Sequence, residues 1–136
     1  MKKLLMMLLL LGSFGFANEI QTQQTNLDSF VNADLKDRVT FILEFSQRFM
    51  LSDRATDDLL VLTYETQGDR EAFEAGVGQI LSGLKVPTPT SKRCSFICFG
   101  VPGWPNGLPT TLDYWTAAIA CAWLTGGQGR LEVCGV

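Results

Sequence analysis

The sequence predicts a mainly α-helical fold: a small domain of about three short amphipathic helices, a Pro/Gly-rich loop and one apolar C-terminal helix, stapled by disulfides. Three observations carry that expectation. Apolar residues recur at spacings of three and four from Leu35 to Leu84, the period of a helix with one buried face. All four cysteines (Cys94, Cys98, Cys121, Cys134) and all three tryptophans (Trp104, Trp115, Trp123) follow the dibasic pair Lys92-Arg93. Charge also collapses there: residues 94–136 carry only Asp113, Arg130 and Glu132, whereas residues 18–93 carry twenty charges.

The N-terminus reads as an export signal. Met1-Lys2-Lys3 is a positive start, Leu4 to Leu11 is an unbroken apolar run, and Gly15 and Ala17 are small residues placed for cleavage after Ala17. The apolar run is too short to span a bilayer stably. The expected location is therefore secreted or periplasmic. Removal of residues 1–17 leaves nine basic against fourteen acidic residues, a net charge of −5. That acidic balance argues against a nucleic-acid partner, which needs a basic stripe. An even cysteine count in an exported chain reads as two disulfides, with three pairings open.

The elements follow in order. Asn18 to Thr25 is polar and reads as a loose lead-in. Within the helical segment 18–85, Asn32 is the expected cap of a helix whose stripe is Leu35, Val39, Ile42, Phe45 and Phe49, widened by Leu43 and Met50. Ser52-Asp53 signals a second helix carrying Ala55, Leu59 and Leu62. Gly68 punctuates, and Asp69 caps a third with Phe73, Val77, Ile80, Leu81 and Leu84. Gly76, Gly78 and Gly83 are expected to weaken that helix by up to about 1 kcal/mol each.

Residues 86–93 form the expected linker, because Pro87 and Pro89 exclude helix. Lys92-Arg93 is then an accessible processing site for a trypsin-like protease, or a pair of charges that keep a hydrophobic segment soluble. The segment 94–136 opens on an apolar run. Pro102 to Pro109 reads as a punctuated loop, and Thr110 with Asp113 resembles a capping box. The helix it starts should run from about Thr111 to Leu124 and end at Gly126-Gly127. It is apolar on every face, so it belongs in the centre of a fold or in a membrane. Fourteen residues reach about 21 Å, short of a bilayer core of roughly 30 Å, so it cannot span alone. Leu131-Glu132-Val133 is a candidate short strand.

Catalytic constellations are missing from the sequence. No histidine is present, which removes Ser-His-Asp and Cys-His arrangements and every His-containing metal site. The cysteine spacing fits neither a zinc ribbon nor a Cys-x2-Cys redox motif. Asp53, Asp57 and Asp58 suit a helix start better than a glycosidase pair, and Gly76-x-Gly78 lacks a phosphate-loop context. The chain is read as non-enzymatic, without cofactor or metal.

Two functions remain. One is a secreted precursor whose C-terminal disulfide-bearing peptide acts on membranes through Trp104, Trp115 and Trp123, since tryptophan favours the bilayer interface. The other is a single helical binding or inhibitor domain with an unidentified protein partner, in which those tryptophans are packing residues. The organisation of the chain resembles the sporulation-delaying (SdpC-like) family of secreted bacteriocin precursors. The corresponding pieces are Met1–Ala17, Leu35–Leu84, Val86–Arg93, and Cys94-Ser95-Phe96-Ile97-Cys98 with the Trp/Ala/Gly-rich tail. The resemblance implies proteolytic release at the linker, a Cys94–Cys98 disulfide and depolarisation of target-cell membranes. Loop entropy favours instead a long-range bridge from Cys94 or Cys98 to Cys121 or Cys134.

Overall fold

The computed structural model of the chain describes residues 27–89 and 94–134. The expected export signal, the lead-in to Thr25 and the Lys92-Arg93 pair lie outside the described residues. Local capping chemistry sets most of the helix boundaries. Helix α1 (Leu35–Arg48) begins after Asp34, not at Asn32. Asn32 still belongs to a helical turn over residues 27–32 and donates its Nδ2 back to the Asp28 carbonyl at 2.8 Å. In helix α2 (Asp53–Glu65) the Ser52 hydroxyl accepts from the Ala55 amide, as its position suggested. The Asp69 carboxylate accepts from the Ala72 amide and starts helix α3 (Arg70–Leu81) in the same way. Met50, assigned above to the buried stripe, instead takes a left-handed φ of 54° in the turn after α1 and is 90 % exposed. Leu35 and Leu43 are likewise exposed, and the most deeply buried residue of α1 that the apolar spacing missed is Arg38.

Helix α3 ends at Leu81, so Gly83 and Leu84, assigned to it above, lie beyond it, and Leu84 is exposed. Gly76 within the helix has a packing role. A Cβ on Gly76 would lie 2.3 Å from Leu62 Cδ1, so the missing side chain is what lets α2 and α3 approach. The turn between them is tied to the N-terminal turn, the Gly68 amide donating to the Val31 carbonyl at 2.8 Å.

The mainly α expectation is met only in part, because the C-terminal segment builds a three-stranded antiparallel sheet of order β2-β1-β3. Strand β1 (Phe96–Phe99) alternates buried and half-buried residues. It pairs Cys98 with Leu108 of β2 (Leu108–Thr110) and with Leu131 of β3 (Arg130–Val133). Pro109 is tolerated because β2 is an edge strand, where a missing amide donor costs no ladder bond. The hairpin from β1 to β2 runs through two turns, closed by Trp104 N to the Val101 carbonyl and Gly107 N to the Trp104 carbonyl. Gly107 is buried at φ 87°, and a Cβ there would sit 2.3 Å from Ile97 Cγ2. Gly107→Ala combines backbone strain with overpacking and is expected to lower stability by about 2–3 kcal/mol in urea denaturation.

Thr110 closes β2 and does not cap a helix; its hydroxyl accepts from the Leu112 amide. Helix α4 (Tyr114–Thr125) starts three residues later than expected, capped by Asp113. The two oxygens of that carboxylate accept from the Thr116 amide and from the Thr116 hydroxyl, each at 2.9 Å. Its C-terminus ends at Gly126 in the left-handed conformation, as the Gly126-Gly127 pair implied.

Helix α4 is the central layer of the fold. One side packs with the helices: Trp115, Ala118 and Ile119 join Phe30, Phe45 and Phe73 in a single cluster. The other side meets the sheet, where Cys121 joins Cys98, Val101 and Leu108. Residues from the 18–85 and 94–136 segments thus contribute to one core. Disulfides fix the second layer: Cys98–Cys121 ties β1 to α4, and Cys94–Cys134 ties the ends of the segment together. The Cys94–Cys98 bridge implied by the resemblance does not form. Cys98 lies in a strand that Cys94 leads into, and four extended residues span about 13 Å, well beyond the roughly 7 Å limit for a disulfide.

Candidate functional site

The four-residue spacing of Lys36, Thr40, Glu44 and Arg48 puts them along one face of α1, with Phe41 and Phe45 beside them. Opposite lie Ala122 and Trp123 at the end of α4, then Gly126 and Gly127. Between these walls is an open groove of about 600 Å³. Its floor is aromatic. The Trp123 ring is held edge-on by Phe30 and Phe41, with centroids 5.2 and 5.4 Å away. The two terminal glycines carry no side chain to close the mouth.

A smaller cavity of about 230 Å³ lies between the end of α1, α4 and β3. Phe49, Ala118, Ala122 and Leu131 supply apolar walls, and Arg48, Arg130 and the Tyr114 ring supply the polar ones. Arg48 and Ala122 line both cavities. Arg48 reaches across the junction and donates Nη2 to the Gly129 carbonyl at 2.9 Å, near the C-terminal end of α4 where a cation is favoured. It forms no ion pair among the described residues. Arg130 stacks over the Phe99 ring at 4.7 Å and pairs with Glu132.

Two further arginines are structural. Arg38 is 1 % exposed and donates Nε to the Ala33 carbonyl and Nη1 to the Thr63 carbonyl in the last turn of α2. Helix α2 has no basic residue of its own in that turn, so Arg38 supplies the cation its C-terminus favours. Burial holds this guanidinium below the ordinary arginine pKa. Arg70 bridges Glu74 (2.7 Å) and Asp28 (3.1 Å), pinning the 27–32 turn to α3. Its pKa is raised, chiefly by the hydrogen bond to Glu74.

The residues singled out from the sequence fall in different places. Trp115 is in the core, its Nε1 without a hydrogen-bond partner among the described residues. Trp123 is half-buried in the groove floor, and Trp104 packs half-buried on the Cys98–Cys121 cluster. Asp53, Asp57 and Asp58 are exposed at the start of α2. Ala17, Lys92 and Arg93 lie outside the described residues. Sequence reasoning missed the groove and its arginines. Arg48 carries no local signal, because its partner carbonyl is 81 residues away.

Among the described residues no group of His, Cys, Asp or Glu could hold a metal ion, and no helix is long and apolar enough to cross a membrane. Fold and groove together define a disulfide-stapled α-plus-β protein suited to an oxidising, extracellular-type environment, with a ligand-sized groove between its helical layers. Comparison with protein-family models, with curated proteins and with solved structures returned no match.

Proposed function

We propose that the chain is an exported, non-enzymatic binding protein whose helical and cysteine-bearing segments fold as one unit around α4, with the α1–α4 groove as its ligand site. One observation supports this reading above the others: α4 shares its cluster with Phe30, Phe45 and Phe73. A helix whose residues 115–122 are buried between helices and a sheet presents little of itself to a bilayer. Urea unfolding followed by tryptophan fluorescence and by far-UV circular dichroism should give coincident single transitions. Separate transitions for the two signals would refute the reading.

A second reading is the bacteriocin precursor that the family resemblance implies, and a different observation favours it. Both disulfides close within residues 94–134, and the described part of the preceding linker, Val86 to Pro89, is exposed. A cut in the linker would therefore leave the C-terminal segment covalently free and still stapled. Residues 27–81 would then act as a mask, and Trp104, Trp115 and Trp123 would meet the target-cell membrane after release. That reading demands dye leakage from anionic liposomes by the oxidised Cys94–Val136 peptide and none by the intact chain. Silence from both leaves the binding protein standing.

A further inference from the structure

The two cavities at the α1–α4 junction are neighbours, with Arg48 and Ala122 bordering both. They differ in character. The larger lobe has an aromatic floor of Phe41, Phe45 and Trp123, and its rim charges balance, with Lys36 and Arg48 against Asp37 and Glu44. The smaller lobe is lined, among the described residues, by two guanidiniums, Arg48 and Arg130, and by no carboxylate. Among the described residues Arg48 forms no ion pair, and Arg130 pairs with the half-exposed Glu132. A trough with an aromatic floor that ends beside two guanidiniums matches one ligand shape. From Lys36 to Arg48 the trough runs about 18 Å at 1.5 Å per residue, the reach of an extended alkyl chain and not of a compact acid.

We propose that this groove binds a medium-chain fatty acid, its alkyl chain lying along α1 on Phe41, Phe45 and Trp123 and its carboxylate held between Arg48 and Arg130. The inference rests on the binding-protein reading above and adds the chemical class of the ligand. A forked guanidinium donates two parallel hydrogen bonds to a carboxylate. A cationic amphiphile would place its head against Arg48 and Arg130, and a neutral one would bring them no added counter-charge.

Titration of the oxidised chain with dodecanoate below its micellar concentration tests this, read by calorimetry and by tryptophan fluorescence. The expected result is saturable binding of one molecule per chain. Decanoate and octanoate should bind about tenfold more weakly for each two carbons removed. Dodecanol and dodecyltrimethylammonium should each bind at least tenfold more weakly than dodecanoate. Arg130→Gln, whose ion-pair partner among the described residues is Glu132, should lose at least tenfold in dodecanoate affinity and leave dodecanol unchanged. Arg48→Gln should do the same, and Arg54→Gln on α2, outside both cavities, should do neither. Thr40→Trp, on the exposed rim, should block the trough without moving the unfolding midpoint. Absence of binding, equal binding of dodecanol, or indifference to both arginine substitutions overturns the proposal. Unfolding curves on the same samples keep the two ideas apart: one transition without dodecanoate binding removes only the ligand, and two transitions remove the one-unit reading beneath it.

Discussion

Phe30→Ala is expected to lower folding stability by about 3–5 kcal/mol, the range for deleting a fully buried phenylalanine. Phe30 is 0 % exposed, and its ring meets Phe41 of α1, Phe73 of α3 and Trp123 of α4, each within about 5 Å centroid to centroid. A cavity there cannot be filled by one neighbour moving, because three separate elements would have to shift together. The substitution should also alter the Trp123 emission of the folded state, since it removes one of the two rings that hold that indole edge-on. Urea denaturation gives the first quantity and the native baseline gives the second. A loss below about 1 kcal/mol would mean that the 27–32 turn is an appendage and not part of the core.

The second large effect separates two accounts of disulfide stabilisation. Loop entropy assigns about 3–4 kcal/mol to each bridge, with the 40-residue Cys94–Cys134 loop ahead of the 23-residue Cys98–Cys121 loop by about 0.5 kcal/mol. Packing reverses that order. Cys98 and Cys121 are both buried, at 1 % and 4 %, and they hold the sheet against the central helix, whereas Cys94 is half-buried at the end of the segment. Paired alanine substitutions at 98 and 121 are therefore expected to destabilise more than those at 94 and 134. The opposite ranking would make chain entropy the dominant contribution of both bridges.

What could be read from the sequence was local. Ser52 and Asp69 signalled their helices because a cap and its amide lie three residues apart, and Gly126 signalled the end of α4 through its own φ. The apolar composition of α4 left two places for it, the centre of a fold or a membrane, and its residues 115–122 are buried in the fold. The features that escaped notice depend on partners distant in the chain. Strand β1 is only four residues long and apolar on both faces, so its two-residue alternation is invisible until β3 arrives beside it. The 27–32 turn hid because three apolar residues amid polar ones make no period, although Leu27, Phe30 and Val31 are all fully buried. Arg38 looked like part of a solvated face because its two acceptors, Ala33 and Thr63, belong to other elements. The groove was illegible for the same reason: α1 gives it one wall and α4, more than seventy residues later, gives it the other.

The central position of α4 also has a consequence in time. Ribosomes deliver Phe30, Phe45 and Phe73 long before Trp115 and Ile119, the residues that complete their cluster. Until nearly the whole chain has been synthesised, the helical half lacks the layer against which it folds, so contacts made early are provisional. The bridge that locks that layer needs an oxidant as well. A chain of this design gains its last lock only after its final layer has been made, and only where thiols are oxidised.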